Sequence, residues 1–321
     1  MAEGPAQPNP SVFIMGAGVV GTALAGRLVR AGVPVTGLHG RQPELTDAAR
    51  ASSGVVGVVG IVGSTGEIPE ILSEADAVII SVRDDRIPQV AARLVGEGRL
   101  RPGQILLHTS GANPARAILA AAVPYVRAVG TLHPLVSFAD ARVAVEQLSE
   151  VAFAIEGDEP ARAVATTIVL ALGARAVTLQ AENLALYHAG AVIASNYVVA
   201  MADTARSLLV KAGVPAEDAL PVLIPLLTSV VQNLAQVGLP GALTGPVERG
   251  DVAVVERHLG SLAARAPELV ELYRLVGRDV LRLASEKGRL DPANAARLEA
   301  LFSGAGPAAA PGAEGGPSAG S

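Results

Sequence analysis

The stretch Val12-Phe13-Ile14-Met15-Gly16-Ala17-Gly18-Val19-Val20-Gly21 decides the fold. Its first four residues are apolar and suit a strand covered on both faces. The Gly-x-Gly-x-x-Gly that follows leads into Thr22 to Ala31, which has helical spacing and stops at Gly32. A strand entering a helix through such a turn is the start of a βαβ unit, and there the three glycines have separate tasks. Gly16 permits the tight turn, Gly18 lets the backbone approach a pyrophosphate, and Gly21 lets the helix lie on the strand. The helix N-terminus then offers free N–H groups and a positive dipole end to the anion. Gly16, Ala17, Gly18, Val19, Val20 and Gly21 are therefore expected to hold a dinucleotide, the bland alternative being a glycine turn without a ligand.

Working outward, further short apolar runs occur at Val33 to Leu38, Val55 to Val62, Ala77 to Val82, Ile105 to His108, Tyr125 to Val129 and Val151 to Ile155. They alternate with helical stretches, which predicts an α/β Rossmann domain over 11–180 with a doubly wound, mostly parallel sheet. From Ala181 the pattern becomes all-α. Helices are expected over Ala181 to Ala212, Ala216 to Val237, Asp251 to Arg265, Pro267 to Lys287 and Pro292 to Phe302. They form an all-α domain over 181–302. Residues 1–10 and 303–321 are rich in Pro, Gly and Ala and are expected as a disordered arm and tail.

Composition narrows the function. The 321 residues are 50% hydrophobic and 17% charged, which predicts a core-rich globular protein. The net charge of −5 argues against nucleic-acid binding, and the lack of Trp removes base-stacking platforms. No Cys occurs, which excludes disulfides, thiolate nucleophiles and Cys-ligated zinc; no metal is expected. The start lacks a secretion signal. Ser195 and Asn196 interrupt one apolar run, and Pro221 and Pro225 another, before the roughly 18 residues that a membrane span needs. A cytoplasmic protein without membrane contact is the expectation.

Strand ends point to the chemistry, because ligands of such sheets lie beyond the carboxyl ends of the strands. The second strand ends Leu38-His39-Gly40-Arg41 where NAD-binding chains place a carboxylate. Arg41 is expected to take the 2′-phosphate of NADP, the alternative being a solvated surface arginine. Val82 and Arg83 should border the cofactor, while Asp84 and Asp85 should cap the next helix. Ser110 and His133 follow later strands; each either reaches the substrate or shapes a loop. The long helix carries Tyr187, His188, Ser195 and Asn196 on otherwise apolar surface, with His188 and Asn196 predicted on one stripe. Lys211 and Lys287 are the only lysines and sit in no convincing cleft segment, so histidine is the expected proton donor. In the loop from Leu243 to Asp251, Arg249 could anchor a substrate carboxylate and Asp251 should cap the next helix.

With these residues the chain resembles the Rossmann-like proteins with a C-terminal helical domain of unknown function. They belong to the wider group of 6-phosphogluconate dehydrogenase, ketopantoate reductase, pyrroline-carboxylate reductase and the deazaflavin-dependent NADP reductases. The matching segments are GAGVVG (16–21), HTSGA (108–112), GTLHPLVSF (130–138), YHAGAVIASNY (187–197) and LTGPVERGD (243–251). The resemblance implies NADP-dependent reduction of a C=O, C=N or deazaflavin bond in a cleft between two domains, and a homodimer formed through the helical domain. Asn196 matches the Asn that hydroxyacid dehydrogenases of the group place one turn after a Lys, but Val192 stands where that Lys belongs. The expected catalytic set is thus His188, Asn196 and Ser110, with His133 and Arg249 toward the substrate and NADP as cofactor. The expected reaction reduces a small oxo or imino acid, 2-ketopantoate-like by kinship; the alternative is a non-catalytic NADP-sensing protein.

Overall fold

The computed structural model describes residues 9–40, 67–138, 145 and 147–304. Arg41, the strand expected at Val55 to Val62 and nearly all of the two terminal segments lie outside these residues. The chain divides into two compact units, Met1–Tyr197 and Val198–Ser321.

In the first unit, strand β1 (Val12–Met15) is wholly buried, as its unbroken apolar character requires. The turn after it leads into helix α1 (Val19–Arg30). Then follow β2 (Val35–His39), β3 (Ala77–Ile80), helix α2 (Ile87–Gly96), β4 (Ile105–His108), β5 (Ala128–Pro134), β6 (Ala152–Gly157), helix α3 (Glu159–Ala171) and β7 (Arg175–Thr178). The seven strands form one sheet in the order β2-β1-β3-β4-β5-β6-β7. Pairings are parallel except β5 with β6, where Leu132 faces Ile155 in an antiparallel register. The expected mostly parallel doubly wound sheet is therefore present, with one reversal and with a last strand, β7, that the apolar pattern did not mark. Half-exposed Arg175 to Thr178 explain that omission: an edge strand needs no apolar run.

Period-two alternation divides β1 between two cores. Val12 and Ile14 join Ala23, Leu24 and Leu28 of α1 and Ile168 of α3 on one face. Phe13 and Met15 join Ile87, Ala91 and Leu94 of α2 on the other. Each such fully buried aliphatic side chain stabilises the fold by about 1.5–3 kcal/mol. Sheet order places the switch point at β1, because the chain passes to β2 on one side and returns to β3 on the other.

After β7 the chain enters helix α4 (Leu184–Val192), which continues into a π-helical turn at Ile193–Tyr197. The second unit contains α5 (Val198–Ala212), α6 (Ile224–Gly241), α7 (Val252–Arg265), α8 (Val270–Glu286) and α9 (Pro292–Ser303). Its core joins Val255 and Leu259 of α7, Leu281 of α8 and Phe302 of α9. Asp251 caps α7 as expected, accepting from the Val254 N–H. The backbone leaves helical geometry at Gly238, one residue past the expected end at Val237.

One expectation needs correction. Ser195 and Asn196, and likewise Pro221 and Pro225, do not keep the apolar runs short of a span: Ala181–Ala212 and Ala216–Gly241 are both long and apolar enough to cross a membrane by length and composition. Serine hydroxyls are accommodated by bonding back to the preceding turn, and Ser195 Oγ donates to the Ala191 carbonyl at 2.7 Å. No residue of α5 or α6 is buried.

Candidate active site

A groove of about 830 Å³ opens in the first unit at the carboxyl ends of β1 and β3. Gly16, Ala17, Gly18, Val19 and Val20 form one wall, and His39, Val82, Arg83 and Thr109 line it further along. The turn is held by backbone bonds: the Gly16 N–H donates to the His39 carbonyl and the Ser81 N–H to the Met15 carbonyl, each at 2.7 Å. Gly16 has φ +125°, and a Cβ there would collide with the Ser81 carbonyl. A Cβ on Gly21 would collide with the Gly16 carbonyl, so this glycine serves helix-to-turn contact and not the groove. Gly18 is different. Nothing lies within 4 Å of its missing Cβ.

Gly18 is also the N-cap of α1, with no side-chain cap and no acidic residue in the first turn. The first N–H groups of α1 therefore lack intrahelical partners and lack competing carboxylates. Donors at a bare helix end beside an open glycine fit a pyrophosphate. Of the expected cofactor residues, Gly16 to Val20, Val82 and Arg83 line the groove, Gly21 supports it, and Arg41 is outside the described residues.

Asp84 does not cap the next helix, contrary to expectation. Its Oδ2 accepts from Ser110 Oγ at 2.6 Å and from Asn113 Nδ2 at 3.1 Å. Asn113 Nδ2 also donates to Ser110 Oγ at 2.9 Å. The Ser110 proton is thereby committed to a carboxylate, and its oxygen offers only acceptor capacity. Asp85 instead faces Arg83 and Arg86, at 3.1 and 3.7 Å.

Behind this triad lies a buried chain that sequence reading did not find. The Ser110 N–H donates to His108 Nδ1 at 3.1 Å, so the proton of this neutral ring sits on Nε2. Nε2 donates to Thr131 Oγ1 at 3.1 Å, which donates to Glu156 Oε2 at 3.0 Å. The same Glu156 oxygen accepts from the Ala115 N–H at 3.0 Å. Burial, with a smaller contribution from His133, lowers the His108 pKa to about 3. The chain fixes the Ser110–Gly111 loop from below.

On the other side of that loop three aromatic side chains meet. His133 Nδ1 lies 3.1 Å from the Tyr187 hydroxyl, and the His133 and His188 rings meet edge-on with centroids 6.0 Å apart. Burial pushes Tyr187 up to about 12 and, aided by His188, pulls His133 down to about 4. At neutral pH the phenol is therefore protonated and the imidazole neutral, and the two share one hydrogen bond whose donor is set by the ring tautomer. A Cβ on Gly111 would sit 2.8 Å from both His133 Nε2 and His188 Cδ2. Only glycine lets both imidazoles close on the loop.

Ser110, His133 and His188 are thus brought together. Asn196 is in the π turn, with Oδ1 accepting from Ser195 Oγ at 3.0 Å. Arg249 is exposed in the second unit. Lys211 contacts Glu268 and Lys287 contacts Glu248, so both lysines hold structure.

The fold and the glycine turn define a Rossmann-like protein with an added helical domain. Residues 2–134 match the model of the Rossmann-like domain, and residues 151–280 that of a domain of unknown function, DUF2520. The chain carries this pair of domains. No curated protein is significantly similar to it in sequence. Among solved structures it is similar to a Thermotoga maritima protein at 22% identity and TM-score 0.68, over 87% of this chain and 100% of that one. A Bacteroides fragilis protein assigned as an NADP oxidoreductase is 24% identical with TM-score 0.61, over 85% and 98%. A reductive aminase of Aspergillus terreus, solved with NADPH and ethyl levulinate, is 17% identical with TM-score 0.56, over 90% and 98%. At such identities the likeness establishes a shared fold.

Proposed function

We propose that this chain is an NADP-dependent oxidoreductase that reduces the C=O or C=N bond of a small oxo or imino acid. The carrying observation is the groove whose wall is an uncapped helix end beside Gly18, open where a side chain would otherwise stand. The fold-mates named as NADP oxidoreductase and as reductive aminase support the cofactor class. The bound cofactor supplies the hydride. The N–H groups of α1 hold its pyrophosphate, and Val82 and Arg83 border it. His188 gives a proton to the atom that gains charge, and the Tyr187–His133 pair beside it keeps a second proton in reserve. Ser110, whose hydroxyl donates to Asp84, is a positioning residue that accepts from a substrate N–H, which favours a protonated imine among the two bond types. Asn196 orients the substrate.

In this reading the protein acts in the cytoplasm as a homodimer, with a second copy covering the apolar helices of the second unit. Leu226, Val231 and Val237 of α6 are each at least 60% exposed. The same helix carries Gln232, Asn233 and Gln236, polar groups that are costly in lipid but tolerable at a wet protein interface.

The test mixes pure protein with NADPH and a panel of oxo acids and imines, following absorbance of the reduced cofactor. Turnover that His188→Ala abolishes and Tyr187→Phe retains supports the assignment; the reverse result moves the role of acid to Tyr187. The rival reading, a non-catalytic NADP sensor, leans on Ser110 and Asn196 being bonded to their own neighbours. Cofactor binding without turnover on any member of the panel would establish it.

A further inference from the structure

His108, Thr131 and Glu156 stand side by side in the sheet. His108 of β4 is the register partner of Thr131 in parallel β5, and Thr131 is that of Glu156 in antiparallel β6. Their side chains therefore leave the same face of three neighbouring strands as one polar row. His108 and Thr131 are fully buried and Glu156 is 6% exposed. Such a row is costly unless each member is bonded, and an apolar row would pack these strands as well. What an apolar row could not do is hold backbone donors. Every donor here points toward the carboxylate: Ser110 N–H to His108, His108 Nε2–H to Thr131, Thr131 O–H to Glu156. Glu156 Oε2 also takes the Ala115 N–H. One carboxylate thus grips the loop at both ends, directly at Ala115 and through two side chains at Ser110. Gly111 lies between the grips, so near His133 and His188 that a Cβ has no room. In a packed interior a small displacement of Gly111 has to move one imidazole or both.

We propose that Glu156 is a positioning residue of the candidate active site: through Thr131 and His108 it sets the place of the Ser110–Gly111 loop, and thereby where the His188 imidazole presents its proton. This rests on the reading of His188 as the proton donor of a reductase. His108, Thr131 and Glu156 are not among the residues that line the groove, so breaking the row should spare the cofactor.

Full-length wild type, Thr131→Val, Thr131→Ser and Glu156→Gln are compared by NADPH titration, by turnover on the panel of oxo acids and imines, and by long-range nitrogen–proton spectra of the five imidazoles. Thr131→Val should lower kcat/KM roughly tenfold, the scale expected for a proton donor displaced by a fraction of an ångström, and change the NADPH Kd by less than about twofold. It should also shift the ring resonances of His133 and His188, and leave those of His258 in the second unit unmoved. Thr131→Ser keeps the hydroxyl and Glu156→Gln keeps an acceptor oxygen, so both should stay within about threefold of wild type with the resonances restored. An unchanged kcat/KM in Thr131→Val, or unmoved His133 and His188 resonances, overturns the proposal and leaves the reductase reading standing. Should wild type reduce nothing in the panel, the reductase reading falls and the two resonances alone decide the positioning role. Should Thr131→Val unfold, the wild-type spectrum decides: His108 protonated on Nε2 with a slowly exchanging Ser110 amide supports the row, and His108 protonated on Nδ1 refutes it.

Discussion

Replacing Gly18 by alanine separates cofactor binding from folding. Nothing lies within 4 Å of the added methyl, and the residue has φ −78° and ψ −174°, which alanine adopts without strain. Glycine is favoured over alanine at an N-cap by up to about 1 kcal/mol, so the melting temperature should fall by no more than about 4 °C. The methyl nevertheless occupies the approach to the free N–H groups of α1. Loss of one or two charge-assisted bonds to a pyrophosphate, about 1.5–3 kcal/mol each, amounts to roughly 2–4 kcal/mol when partial relaxation is allowed. That corresponds to roughly 30- to 700-fold weaker binding. NADPH fluorescence is a convenient reporter because the chain has no Trp to overlap it. Gly16→Ala is the contrast: with φ +125° and a collision with the Ser81 carbonyl, it should lower stability as well as binding. A Gly18→Ala protein that binds NADPH within about threefold of wild type, a difference under 1 kcal/mol, would refute the placement of the pyrophosphate.

Thr131→Val leaves the His108 Nε2–H and one oxygen of buried Glu156 each short of a partner, and should cost about 2–4 kcal/mol in chemical denaturation. Stability should also fall on acidification. His108 titrates near 3 when folded and near 6.5 when unfolded, so its contribution is complete above pH 6.5 and fades as protons favour the unfolded chain. The loss from this residue reaches about 2 kcal/mol by pH 5, and His108→Gln should flatten the melting curve against pH there. Val231→Glu together with Val237→Glu places charge on the exposed apolar face of α6 and should convert a dimer to monomers in sedimentation equilibrium; an unchanged mass would move the interface elsewhere.

Local rules made part of this molecule legible from its residue order. β1, the glycine turn and α1 form one short segment whose conformation depends on its own sterics: four apolar residues, then glycines where a Cβ cannot fit, then helical spacing. The strands at Ala77, Ile105 and Ala152 are legible for the same reason, since burial on both faces demands unbroken apolar runs. Other features depend on partners distant in the chain. Asp84 looks like a helix cap in sequence, yet Ser110 and Asn113 claim it from 26 and 29 residues away. Tyr187 meets His133 across 54 residues, and no spacing rule connects a strand end to a later helix. The reversal at β6 and the half-exposed edge strand β7 likewise exist only once the sheet is assembled. Short-range geometry writes itself into neighbouring residues, whereas hydrogen-bond partners and burial are properties of the packed chain.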